Sequence, residues 1–318
     1  QGVMGRYILR RSLTLLLTLF ITSIIIFALT QLLPGDIARL VLGRDASPEA
    51  ITTFNQRFGL DEAIPVQYAS WLGGFMTGDW GTSYIGGNPE VRPLVVERFV
   101  NSMRLAGLTL LITIPLSILL GIVAALTEGS AVDNGISVFS LSVVGLPEFV
   151  TGLILINIFA LNLGWFNVAE PIRDNMSLFD WLRILLLPAI TASFVLIGYV
   201  TRMTRAGMID ELKKSYVRTA TLKGLSRRTI IVKHVLRNAL LPTITVIAIS
   251  LGWLMGGIVV IEEVFNYPGM GSELVTSVRQ KNIPVLQAIT VIIVFVFALA
   301  NLVADLLYAL LNPRIRLE

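Results

Sequence analysis

Residues 12–35 read SLTLLLTLFITSIIIFALTQLLPG, 24 positions between Arg11 and Asp36 without a charged side chain. A helix rises about 1.5 Å per residue, so about 20 apolar residues cross the roughly 30 Å hydrocarbon layer of a bilayer. This run is long enough to span. It also exceeds the roughly 7–15 residues of a signal-peptide core, and no small-residue cleavage site follows it. It therefore reads as a permanent anchor. Met4 reads as the natural start, with Gln1 to Val3 as an extraneous addition.

The same ruler finds more spans. Uncharged runs of 23 residues lie between Arg104 and Glu128, 18 between Arg183 and Arg202, 24 between Arg237 and Glu262, and 23 between Lys281 and Asp305. A sixth candidate runs from about Asn134 to Leu163 and is interrupted by Glu148, beyond which Phe149 to Ala169 is again uncharged. Composition agrees: 54% of the 318 residues are hydrophobic and 14% charged, where a soluble domain carries about 25% charged residues. The sequence predicts an all-α membrane protein with six transmembrane helices.

Lys and Arg near span ends mark the cytoplasmic side. Arg6, Arg10 and Arg11 precede the first span, and Arg314 and Arg316 follow the last. The loop between spans four and five is rich in basic residues, from Arg205 through Lys213, Lys214, Arg218, Lys223, Arg227, Arg228 and Lys233 to Arg237. Six spans put all three regions on one side, so both termini are expected in the cytoplasm. The net charge of +4 then reflects topology rather than nucleic-acid binding. The chain divides into residues 1–33 (N-terminus and first span), 34–103 (an outer segment) and 104–318 (a five-helix core carrying a cytoplasmic loop, 207–238). The outer segment mixes turn residues with amphipathic stretches, Pro48–Phe58 and Pro65–Met76. Short helices on the outer membrane surface are expected there, anchored by Trp71, Trp80 and Tyr84.

Catalytic equipment is sparse. Cysteine is absent and His234 is the one histidine, which excludes disulfides, thiolate chemistry and multi-histidine metal sites. No G-x-x-x-x-G-K-[ST] phosphate loop occurs, and Pro268-Gly269-Met270-Gly271-Ser272 reads as a tight turn. A Ser–His protease would need His234, which lies in the basic loop. Glu148 stands about 12 residues into the third span, behind Gly145 and Pro147, where a kink or break is expected. An intramembrane acid faces the bundle interior or water. Two readings stay open: Glu148 caps a broken helix or pairs inside the bundle, or it lines a pore and meets a polar or cationic substrate. Asp305, Arg202 and Arg205 lie at comparable depths near the cytoplasmic ends of spans six and four, so a structural ion pair is expected among them.

The inner loop reads Ser215-Tyr216-Val217-Arg218-Thr219-Ala220-Thr221-Leu222-Lys223-Gly224-Leu225-Ser226, with Arg237-Asn238-Ala239-Leu240-Leu241-Pro242 downstream. Gly224 separates two short helical stretches, since Gly commonly ends a helix. Here the chain resembles the membrane permease subunits of binding-protein-dependent ABC importers, in the dipeptide/oligopeptide/nickel branch. Those carry an E-A-A-x-x-x-G motif followed by Leu-Pro. Arg218 and Thr219 replace its first acid and first alanine, and the Gly-to-Pro interval is longer. Both departures are usual for the peptide branch, whose pattern is similar to Y-[IV]-R-T-A-x-x-K-G-L. Leu33-Pro34-Gly35-Asp36, Gly59-Leu60-Asp61, Gln67-Tyr68, Gly78-Asp79-Trp80-Gly81, Pro268-Gly269-Met270-Gly271 and Asn312-Pro313-Arg314 also resemble it. The resemblance covers essentially the whole chain.

The resemblance implies a type I ABC importer permease fold in a bacterial cytoplasmic (inner) membrane. It implies a second, homologous permease subunit, two cytoplasmic ATPase subunits that bind ATP and Mg, and an extracytoplasmic substrate-binding protein. This chain itself would carry no cofactor and no catalytic residue. Tyr216, Arg218, Thr219, Ala220, Lys223, Gly224 and Leu225 would form the coupling contact with an ATPase. The implied cargo is peptide; nickel complexes or oligosaccharides are the alternatives within the branch. A self-contained secondary transporter is the alternative from another class, although it often shows paired broken helices in its two halves and only one break is visible here.

Overall fold

The computed structural model describes residues 2–32, 37–43, 45–168 and 176–311. The Leu33–Asp36 and Asn312–Arg314 motifs, and the basic pair Arg314 and Arg316, lie outside the described residues. The helices are α1 (Gly2–Gln31), α2 (Ile37–Leu42), α3 (Pro48–Phe58), α4 (Ile64–Thr77), α5 (Val91–Leu126), α6 (Ala131–Gly145) and α7 (Glu148–Leu155). They continue with α8 (Leu178–Leu212), α9 (Ser215–Leu222), α10 (Arg227–Thr229), α11 (Leu236–Val264), α12 (Met270–Gln280) and α13 (Ile283–Leu311). π-Helical segments extend α7 over Ile156–Asn162 and join α10 to α11 over Ile230–Val235. Among the described residues the one β-feature is an isolated bridge between Thr82 and Glu90.

Among the described residues five helices are long and apolar enough to cross a membrane, and a sixth crossing is made if α6 and α7 count together. That pair is bent by 105° at Leu146-Pro147. Pro147 has no N–H to give to a helical ladder and its ring obstructs the preceding turn. Leu146, just before it, is extended at φ −91° and ψ 132°, as a residue preceding proline prefers.

Hydrogen bonds decide whether the pair is a crossing or a re-entrant loop. The Ser193 hydroxyl donates to the Thr109 carbonyl, 3.4 Å, and the Thr201 hydroxyl to the Ser117 carbonyl, 3.3 Å. Both partners advance together, so α5 and α8 run parallel. Between two parallel spans the chain must return once, and α6 with α7 is the return. α6 lies antiparallel on α8, with Asp133 against Arg205 and Ser140 against Gly198. α11 is likewise antiparallel to α8, through Thr243 on Thr204 and Ala239 on Gly207.

The chain forms two compact units. One comprises Met103–Tyr267 with the two termini, Gln1–Met4 and Leu299–Glu318; the other comprises Gly5–Ser102 with Pro268–Ala298. In the first, α8 is the centre, and most of its apolar window is buried. Apolar side chains gain little by leaving lipid for protein, so close backbone approach at small residues holds such helices together. A methyl added at Gly198 would stand 2.6 Å from the Ser140 carbonyl oxygen, and one at Gly207 would stand 2.5 Å from that of Ala239. Serine and threonine line the same helix, their hydroxyls turned back onto its own carbonyls.

The second unit holds α2, α3 and α4, whose sequence signals are plain. Ser47 caps α3 by accepting from the Ala50 N–H, and Gly59 ends it in the left-handed region. Two expectations are corrected here. Tyr84 is not a surface anchor: it is 8% exposed, wedged edge-on against Phe54 and Phe58. Trp80 stacks on Phe75 at 5.0 Å and donates its indole N–H to the Phe75 carbonyl, so its polar handle is used internally. Burial pushes the Tyr84 phenol up to about 12. Pro268–Gly271 is a helix start: the Met270 N–H, in the first turn of α12, donates to the Ser102 hydroxyl at 2.8 Å.

Candidate functional site

Two places collect the sequence-selected residues: the segment after α8 and the bend before α7.

Glu211, in the last turn of α8, is 8% exposed. Its carboxylate accepts from the Tyr216 hydroxyl at 2.7 Å and from the Lys214 ammonium. One phenol thus ties α9 to the end of α8. Burial, and then the bond to Glu211, push that phenol above its ordinary value. Val217 and Ala220 point the same way, against a buried cluster of Ala125, Met208, Ile209, Ile230, Val235 and Ala239.

Turning Tyr216, Val217 and Ala220 inward leaves the other face of α9 bare. Arg218, Thr219, Lys223, Gly224 and Leu225 are exposed, and Leu222, which the sequence reading passed over, is 80% exposed. Gly224 ends α9 at φ +78° with nothing within 4 Å of where a Cβ would stand. A side chain there would meet left-handed backbone strain and no steric clash. Ser226 then caps α10 by accepting from the Thr229 N–H. Of the seven residues singled out, Tyr216 and Ala220 fasten the helix and the other five face outward.

The ion pair expected among Arg202, Arg205 and Asp305 is replaced by another. Arg205 donates from Nε to Asp133 Oδ1 at 2.5 Å and from Nη2 to Oδ2 at 2.7 Å. Asp133 also accepts the Gly129 N–H at 2.9 Å, in the first turn of α6. Neither arginine pairs with Asp305: Arg202 is exposed on α8 and Asp305 is half-buried on α13. Equal depth in the bilayer does not make two helices neighbours, and α6 is the one that packs on α8 there.

Glu148 occupies the first position of α7, directly after the bend. It lines an open cleft of about 500 Å³ together with Phe149, Tyr199, Gly256 and Gly257. A methyl added at Gly257 would stand 2.8 Å from Glu148 Oε2, so the carboxylate lies against bare α11 backbone. No hydrogen bond or ion pair from the described residues reaches it. A carboxylate on lipid would cost about 2.5–3.5 kcal/mol on insertion scales. The α7 N-terminus favours the negative charge. Among the described residues no group of three or more His, Cys, Asp or Glu is placed to hold a metal ion.

The chain as a whole is similar to a known family and to known proteins. The family described as "Binding-protein-dependent transport system inner membrane component" matches residues 117–317, and its N-terminal companion matches residues 4–111. A probable peptide ABC transporter permease of Sinorhizobium fredii is 36% identical, over 98% of this chain and 100% of its own length. An oligopeptide transport system permease of Bacillus subtilis is 36% identical, over 98% and 99%. A glutathione transport system permease of Escherichia coli is 34% identical, over 98% and 99%. Matches of this extent, on a bundle of apolar helices, show that the chain belongs to the family of inner-membrane permease components of binding-protein-dependent ABC transport systems, as a multi-pass protein of that membrane.

Proposed function

We propose that the chain is one half of the translocation path for peptides delivered by an extracytoplasmic binding protein. The names borne by relatives that match end to end, peptide, oligopeptide and glutathione permeases, support the cargo. A second, homologous permease completes the path, and two separate ATPase subunits bind ATP and Mg and do the hydrolysis. Both termini, the Glu128–Asp133 turn and α9 face the cytoplasm, and residues 34–103 face outward. Positive charge at Arg6, Arg10 and Arg11 in the first part of α1, and around α9, supports that orientation.

The observation that carries the mechanism is the mounting of α9. It is fixed on its inner side by Tyr216, Val217 and Ala220 and bare on its outer side, with Leu222 and Leu225 exposed and Arg218, Lys223, Arg227 and Arg228 exposed nearby in sequence. An exposed apolar pair with cations close by fits a groove in an ATPase with acids at its rim. A small helix seated in a partner's groove transmits rigid-body movement, because packed interfaces switch between discrete arrangements.

Gly224→Asp tests this. The variant is expected to insert at wild-type level while ATPase co-purification falls at least tenfold and transport is lost. Normal transport with normal ATPase association would overturn the assignment. For the cargo, labelled peptides are expected to bind the partner binding protein and labelled oligosaccharides and nickel chelates are not; the reverse would move the chain to another substrate within the branch. Uptake by this chain alone, without ATPases, would show a secondary transporter.

A further inference from the structure

We propose that the cleft at the bend of the third span is a recognition site for a primary ammonium group, with Glu148 as its counter-charge. The proposal rests on the peptide reading above for one point alone, that the ammonium it meets in transport is the free amino terminus of a peptide.

Three features combine. Among the described residues the carboxylate of Glu148 is the one charge on the wall of a cleft of about 500 Å³, and none of them bonds or pairs with it. Facing it is the Gly256-Gly257 backbone, which carries no side chain; at Gly257 even a methyl would stand 2.8 Å from the carboxylate. The remaining wall is apolar apart from Tyr199, a residue 45% exposed. A carboxylate beside an aromatic face suits a cation, which the anion pairs with and the ring quadrupole attracts. An apolar wall lowers the local dielectric and so strengthens the pairing. An anion or a carboxyl terminus would meet repulsion.

The bend is what makes the site. Leu146-Pro147 turns the chain by 105° and so places Glu148 against α11. Gly152, one turn further along α7, packs so closely on α11 that an added methyl would meet Phe265 and Val264 at 3.2 Å. The carboxylate is therefore held by backbone geometry rather than by a polar partner. It stays available to a passing ligand.

The test uses the full transporter, with this chain and its companion subunits, in proteoliposomes. In the first arm a hydrophobic carbodiimide modifies position 148, with n-butylammonium or n-butanol present. Modification is read by mass spectrometry as the N-acylurea and the butylamide together, since an amine displaces the urea from the activated carboxyl. Ammonium is expected to slow labelling at least fivefold and the alcohol to leave it unchanged. Equal labelling in both would overturn the site. So would a position 148 that becomes reactive only when the second permease is removed, which would assign Glu148 to the subunit interface.

In the second arm, uptake of a lysine-free tetrapeptide is compared with that of its N-acetylated form. Wild type is expected to favour the free amine at least fivefold. Glu148→Gln is expected to lose that preference with its ATPases still bound, and Glu148→Asp to keep part of it. Equal slowing of both peptides by Glu148→Gln would overturn the proposal. If wild type moves neither peptide, the peptide reading falls, and the carbodiimide arm still decides the ammonium site.

Discussion

Removing the Asp133 carboxylate should unfasten the end of α6 from α8. Asp133 has a side chain 3% exposed, and Arg205 one 30% exposed. The carboxylate takes two charge-assisted hydrogen bonds from one guanidinium fork, and a third from the Gly129 N–H. Breaking a buried pair by removing one partner costs about 3–5 kcal/mol. Arg205 keeps some access to water, so the lower end applies, and Asp133→Ala is expected to cost about 3 kcal/mol. Asp133→Asn retains one acceptor and loses the charge, for about 1.5 kcal/mol. Arg205→Lys loses the fork and keeps a point charge, for about 1 kcal/mol.

The assay is unfolding of the purified chain in mixed micelles with rising detergent denaturant, followed through tryptophan fluorescence. Asp133→Ala, Arg205→Ala and the double variant form a cycle. The coupling energy is expected between about 1 and 3 kcal/mol, as for residues in direct contact. Single variants within about 0.5 kcal/mol of wild type, or a coupling near zero, would put the pair among surface ion pairs of little worth. The claim that it fixes α6 on α8 would then be refuted.

Gly198→Ala should destabilise by about 1–3 kcal/mol through overpacking, because its methyl would lie 2.6 Å from the Ser140 carbonyl oxygen; a neutral effect in the same unfolding assay would show that α6 and α8 are less closely apposed. The chain has no cysteine of its own, so Thr53→Cys and Leu222→Cys, both at exposed positions, report sidedness directly. In intact spheroplasts an impermeant maleimide is expected to label the first and not the second, and labelling of the second alone would invert the orientation proposed here.

Span positions were legible because lipid imposes a length. An uncharged run of about 20 residues has few uses other than crossing, and the break at Pro147 follows from a missing N–H. Gly224 at the end of α9 was legible for a similar reason, since few residues other than glycine take a left-handed backbone cheaply. Lateral neighbours were not legible. Distance from the last charge gives depth along a span, and Arg205 and Asp305 share a depth; only the packing of α6 on α8 selects Asp133. Charge also marks the end of a run without reporting exposure: Glu262 closes one and is fully buried. Leu222 was missed because an apolar residue in a short amphipathic helix reads as inward-facing. Its exposure depends on Tyr216, Val217 and Ala220 having taken the inner side.

The small residues of α8 and its neighbours bear on how force from an ATPase would reach the transport path. Gly121 of α5 lies on α8, where an added methyl would meet the Thr204 side chain at 2.5 Å and the Thr201 carbonyl oxygen at 2.8 Å. Gly198 opens α8 to α6, and Gly207 opens it to α11. At each of these contacts backbone meets a neighbouring helix with no long side chain between them, so α8 has little freedom to slide while its neighbours stay still. Its last turn holds Glu211, which accepts from Tyr216 of α9. In the proposed coupling, a push on α9 therefore enters α8 at a hydrogen-bonded end and leaves it along three close contacts. One of these, at Gly198, adjoins the cleft of Glu148, which Tyr199 also lines. A flexible loop in place of α9 would dissipate the push before it reached α8, and for that reason the Tyr216 anchor matters as much to coupling as the exposed face that meets the ATPase.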